Sequence, residues 1–139
     1  MKYFIGNWKM FGVPRSINIL NKINFFRSRD KNRNKYRVII TPPYTLLESF
    51  AKYFRNKKIM IGSQNCYQKD QFSSNTGAVS PYMIRSAGAK YTLVGHSDNR
   101  AEGDKNKWSQ EVAHLTACLN DIAAIIFNWT APLPGKNLH

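Results

Sequence analysis

The 139 residues predict an α/β domain built on a parallel sheet, and three observations carry that expectation. Short apolar runs recur with longer, roughly helical apolar patterns between them, the alternation of βαβ units. The segments between the runs carry the caps and breakers that start and stop helices. Several polar residues fall where an apolar run ends, the position at which parallel sheets place their chemistry.

The elements follow in order. Tyr3–Trp8 is read as the first strand. Pro14, then Ile17, Ile19, Leu20, Ile23 and Phe26, predict a helix that closes in the polar stretch Ser28–Lys35. Val38–Ile40 is the second strand, stopped by Thr41-Pro42-Pro43. Leu46, Leu47, Phe50, Ala51 and Phe54 space a second amphipathic helix, and Ile59–Ile61 forms a third strand before a long polar loop, Ser63–Val79. Ser80-Pro81 is an N-cap with proline in the first turn, opening a short helix that Gly88 ends. Tyr91–Val94 is the fourth strand and runs directly into Gly95-His96-Ser97. A helix is expected over Trp108–Cys118 and a fifth strand over Ile122–Phe127, with an irregular tail containing Pro132, Pro134 and Gly135.

Composition narrows the classes. With 42% hydrophobic and 21% charged residues the chain is not of the disordered type. No stretch approaches the roughly 20 apolar residues of a membrane helix, and Met1–Met10 is too polar for a secretory signal, so a cytoplasmic location is expected. Cys66 and Cys118 stand far apart without a metal-ligand spacing, which argues for reduced thiols and against a zinc site. The 21 Lys and Arg against 8 Asp and Glu, a formal charge of +13, would attract any polyanion. The cations crowd into Arg27–Arg37 and Lys52–Lys58, which read as helix ends and turns where positive charge favours the dipole. A solvated surface is therefore the preferred reading. A nucleic-acid-binding module is the alternative, and it requires the two clusters to merge into one face.

Asn7 and Lys9 close the first strand and His96 the fourth. Around them the sequence resembles the triosephosphate isomerase family. Gly6-Asn7-Trp8-Lys9-Met10 is similar to its first-strand motif, Gln64-Asn65-Cys66-Tyr67 with Thr76-Gly77 and Ser80-Pro81 to its third loop and following helix, and Val94-Gly95-His96-Ser97 to its fourth-strand motif. Three motifs in order at the right separations are specific, and together they cover residues 1–106.

The resemblance implies part of a TIM (β/α)8 barrel, about four to five βα units. It also implies a homodimeric enzyme without cofactor or metal that interconverts dihydroxyacetone phosphate and glyceraldehyde 3-phosphate in glycolysis and gluconeogenesis. Carried over residue by residue, Asn7 looks like the substrate-binding asparagine and Lys9 like the lysine that holds the substrate and its developing negative charge. His96 looks like the electrophile that polarises the carbonyl. Asp98 stands where the family usually has a glutamate near that lysine, and as the shorter side chain it is expected to reach less far. Thr76 and Gly77 look like the loop tip that enters the partner subunit, with Gln64 and Asn65 at the loop's base.

The departures are equally specific. A barrel of this kind typically takes about 250 residues. After His96 the acids are Asp98, Glu102, Asp104, Glu111 and Asp121, none in the Tyr-Glu-Pro context of the family's base, and no Gly-Gly pair follows. From Lys107 the motifs decay, and Phe127-Asn128-Trp129-Thr130 replaces the family's fifth-strand end, so a truncated or shifted frame is expected there. The chain alone is expected to be inactive. Residues 107–139 form a divergent segment, and a non-catalytic half-barrel that associates through its open face is a further alternative. Phe4, Ile39, Ile61 and Leu93, or their immediate neighbours, are expected to line that face.

Overall fold

The computed structural model describes residues 1–69, 71–101 and 122–126. The expected helix Trp108–Cys118, the Phe127–Thr130 segment and the tail lie outside them. Five strands form the sheet: β1 (Lys2–Asn7), β2 (Tyr36–Thr41), β3 (Ile59–Ser63), β4 (Tyr91–Val94) and β5 (Ala123–Ile126). Between them run α1 (Ile17–Arg29), α2 (Tyr44–Tyr53), α3 (Pro81–Ser86) and the short α4 (Ser97–Ala101). Neighbouring strands are all parallel and follow chain order, β1-β2-β3-β4-β5. Right-handed crossovers that always step in the same direction put every helix on one face, whereas a doubly wound sheet reverses direction and covers both. The sequential order is that of a (β/α) barrel, here present in part.

Register sorts the faces. Ile40 pairs with Ile61, and both join the helix-side core with Leu46, Leu47, Phe50 and Val94. Ile39 pairs with Ile5 and Leu93 with Ile125 on the opposite, concave face, where Ile39 and Leu93 are buried. Of the four named positions Ile39 and Leu93 lie on the concave face, and at the other two it is the immediate neighbours Ile5 and Met60 that do. Phe4 pairs with Val38, and Ile61 with Ile40, so both belong to the helix side, because side chains alternate with a period of two.

α2 is the best-packed helix, and all five residues that predicted it are buried. α1 behaves differently. Leu20 is buried and Ile17 and Ile23 pack against the core, but Ile19 and Phe26 are exposed. At about 100° per residue Ile19 and Phe26 sit nearly opposite Ile17 and roughly 100–120° from Leu20, so the apolar pattern there is wider than the face that is buried. α3 starts as expected, with the Ser80 hydroxyl accepting from Met83 N–H at 3.2 Å.

Candidate active site

The carboxyl ends of β1 and β4 carry the residues of interest. On a flat sheet these strands would be three spacings of about 4.8 Å apart, roughly 14 Å, so side chains from both meet only if the loops lean across the ends of β2 and β3. They do meet. The ammonium of Lys9 lies 3.3 Å from Asp98 Oδ2, and the same oxygen is 3.5 Å from His96 Nδ1. The shorter Asp98 therefore spans the distance, because α4 begins immediately after His96 and brings its first turn toward β1.

Lys9 is held in an uncommon conformation. Its φ of 52° lies in the left-handed region, unusual for a residue with a side chain and typically worth about 1–3 kcal/mol of strain. Two contacts fix it. Asn7 Oδ1 accepts from Lys9 N–H at 2.8 Å, and Gln64 Nε2 donates to the Lys9 carbonyl at 2.7 Å and to the Thr41 carbonyl at 2.9 Å. Trp8, between Asn7 and Lys9, packs edge-on against Phe50 in the α2 core with ring centroids 5.9 Å apart. The lysine's strained backbone is thereby tied, through the neighbouring Trp8, to the buried core under α2. Since Asn7 uses its carbonyl oxygen for this, its amide NH2 is the group left to donate to a ligand.

His96 follows Gly95, whose φ of 70° makes the turn out of β4 that glycine adopts without a Cβ penalty. The imidazole is mostly enclosed, with 17% of the side chain exposed. The Asp98 backbone N–H donates to His96 Nδ1 at 3.2 Å, closer than the carboxylate oxygen, and an atom that accepts a hydrogen bond carries no proton of its own. A ring whose Nδ1 accepts this bond presents its N–H at Nε2, and the Asp98 carboxylate lies closer to Lys9. That ion pair is more than half exposed and worth at most about 1 kcal/mol, so it orients the lysine more than it stabilises the fold.

The other predicted residues divide. Gln64 joins the site through Lys9, a contact to which its place directly after β3 was the available signal. The Asn65 carbonyl accepts from the Tyr44 hydroxyl, whose ionisation burial pushes far above the ordinary tyrosine range, and Asn65 Oδ1 is buried without a partner. Thr76 and Gly77 are exposed at the loop tip and make no contact with Lys9 or His96; Gly77, at φ 79°, has open space around it. Among the described residues no group of three or more His, Cys, Asp or Glu could hold a metal ion, and no helix is long and apolar enough to cross a membrane.

The family model for triosephosphate isomerase matches residues 2–126. The chain belongs to the triosephosphate isomerase family. The triosephosphate isomerase of Wigglesworthia glossinidia brevipalpis is 37% identical over 97 residues, 69% of this chain and 36% of that protein. That of Wolbachia pipientis wMel is 34% identical over 111 residues, 78% of this chain and 43% of that protein. The crystal structure of the Bartonella henselae isomerase superimposes with a TM-score of 0.81 at 28% identity, covering 90% of this chain and 50% of that one. The chain thus spans about two fifths of the length of the curated family members it matches. The match also runs through β5, past residue 106 where the recognisable motifs stop.

Proposed function

We propose that this chain supplies the substrate-holding and carbonyl-polarising part of a triosephosphate isomerase site, acting on dihydroxyacetone phosphate and glyceraldehyde 3-phosphate. The observation that carries the reading is the convergence of Lys9, Asp98 and His96 from β1 and β4, with Nδ1 of the histidine occupied by a backbone donor. Removing a proton next to a carbonyl develops an enediolate, and fixed donors aimed at its oxygens lower the barrier without reorganising. His96 Nε2–H is such a donor. Triosephosphate isomerase is itself the standard example of a neutral imidazole polarising a carbonyl beside a glutamate base. Lys9 supplies the cation that attracts a phosphate-bearing substrate and offsets the charge that builds on it, and the Asn7 amide donates beside it.

The proton acceptor has no counterpart among the matched motifs, since no acid after His96 lies in a Tyr-Glu-Pro context. In this reading the active unit is a cytoplasmic homodimer, with the exposed Thr76-Gly77 tip reaching the partner subunit and Gln64 and Asn65 at its base.

Titration with phosphoglycolate, followed by amide NMR shifts, tests the reading. Residues around Asn7, Lys9 and His96 are expected to shift, and Lys9→Met is expected to abolish the response while leaving the remaining spectrum in place. Equal binding by both proteins would reduce Lys9 to a surface lysine. In a coupled assay the 139-residue chain should show no turnover above a His96→Gln control, because general-base catalysis contributes about 10²- to 10⁴-fold.

A further inference from the structure

The amino-terminal end of the sheet, opposite the Lys9 and His96 site, brings together cations that are dispersed in sequence. Arg27, Arg33 and Arg37 from the α1–β2 region meet Lys57 and Lys58 from the α2–β3 turn around one open hollow of about 330 Å³. Both basic clusters of the sequence contribute to it. Through Lys57 and Met60 this hollow adjoins a second, which adds Arg55 and Lys90. Through Arg55 and Lys90 the second adjoins a third of about 640 Å³, which adds Lys52 and Arg85. The hollows form a continuous band across the starts of β2, β3 and β4. No Asp or Glu among the described residues lines any of them. The nearest carboxylates are engaged at the margin: Glu48 pairs with Lys52 at 2.6 Å, and Asp30 accepts from the Tyr36 hydroxyl at 2.6 Å.

Apart from these two carboxylates at the margin, the charged residues described in the lining are all cations. Arg27 is anchored in the wall of the first hollow. Its Nη2 donates to the Tyr36 carbonyl at 2.9 Å and its guanidinium lies over the Tyr36 ring at 4.7 Å, yet Nε and Nη1 are buried without a partner.

We propose that this band binds the phosphate backbone of a nucleic acid. One small anion would occupy one hollow, whereas a run of connected hollows, each with several cations, fits a chain of regularly spaced phosphates. Contacts of this kind fix a strand without reading its bases. Because the band and the candidate active site lie at opposite ends of the strands, the two are occupied independently.

Fluorescence anisotropy of the full chain with a labelled single-stranded DNA of about 20 mixed nucleotides decides the question. Neutralising about five phosphates gives a log–log salt slope near −3.5, so affinity should fall roughly 100-fold between about 50 and 200 mM salt. The triple variant Arg33→Glu, Arg55→Glu, Lys57→Glu should bind at least about ten-fold more weakly with a shallower slope. Arg15→Glu, Lys22→Glu, Lys69→Glu makes the same change in net charge away from the band and should bind far more nearly like the unaltered chain, both variants being checked for unchanged circular dichroism and urea midpoint. Equal weakening by the two triples would mean that only net charge matters and would overturn the proposal. So would an absence of binding at low salt, or competition by poly-L-glutamate or anionic vesicles as strong as that by unlabelled DNA.

Discussion

The α2–β3 unit and the β1–α1 unit are built from similar amounts of apolar sequence, but they are finished to different degrees. α2 lies over β2 and β3 with neighbours on both sides, and Leu46, Leu47, Phe50, Ala51 and Phe54 are all buried beneath it. β1 is paired only with β2 among the described strands, and Tyr3, Phe4 and Ile5 remain exposed along it. On α1 next to it, Phe26 is 74% exposed and Leu20 is the one fully buried residue. Apolar sequence therefore becomes stability only where a second layer and a second neighbour are present.

The sharpest way to break this comparison is a pair of equal truncations. Phe50→Ala is expected to lose about 3–5 kcal/mol in urea unfolding, and it should also loosen Trp8 and with it the Lys9 backbone. Phe26→Ala should stay within about 0.5 kcal/mol. A comparable loss at both positions would show that α1 is packed in solution as well as α2 is.

The exposed edge leads to the second expectation. Among the described strands β1 pairs on one side alone, and its other edge, beside Tyr3, Phe4 and Ile5, is a template for another strand. Sedimentation of the 139-residue chain should show dimers or larger species with bound ANS, and placing lysine at Phe4 and Ile5 should shift the distribution toward monomer. A monodisperse monomer with a sharp melt and no dye binding would mean that the edge is covered after all.

These contrasts also explain what could be read in the sequence. The five residues that predicted α2, with Phe54 just past its end, have one face and one set of neighbours, so pattern and burial coincide. α1 has as many apolar residues as α2, six, spread over 13 positions instead of 10, but Ile19 and Phe26 lie off its buried face, and periodicity alone cannot say how wide a face will be buried. At the site, Asn7, Lys9 and His96 were visible because polar residues ending apolar strands are conspicuous, and the family motifs added their roles. The positive φ of Lys9 and the reach of Gln64 back to its carbonyl were not visible, because both depend on how the loop after β1 leans over β2. The reach of Asp98 was underestimated for a similar reason. Side-chain length was legible in the sequence, whereas the approach of α4 toward β1 was not.

A smaller effect tests a local signal that pattern and structure agree on. Ser80→Ala removes the hydroxyl that accepts from Met83 N–H at the start of α3 and should cost about 1 kcal/mol, whereas Ser80→Asp, which keeps an acceptor, should recover most of it. Equal losses in the two variants would mean that the buried Ser80 side chain matters for its volume and not for its cap.

The smallest effect concerns pH and belongs to the β1–α1 side. Asp30 accepts from the Tyr36 hydroxyl at 2.6 Å and from Asn32 N–H at 2.8 Å, and the hydroxyl bond chiefly holds its carboxyl below the ordinary 3.8. The same bond, from the other end, raises the Tyr36 phenol above the ordinary 10.0. The signs are opposite and consistent. A lowered carboxyl contributes stability that is present above pH 3.8 and lost as pH falls through the folded value, while a raised phenol contributes stability that is present below pH 10.0 and lost as pH rises through its folded value. Tyr36→Phe removes the bond and leaves the ring that Phe4 and Arg27 pack against, so the variant should differ from the unaltered chain by a nearly constant small amount between those limits and converge with it beyond either one. Urea midpoints measured at pH 3, 7 and 11 would show this. A difference that persisted unchanged at both extremes would assign the effect to packing of the ring edge and not to the hydrogen bond.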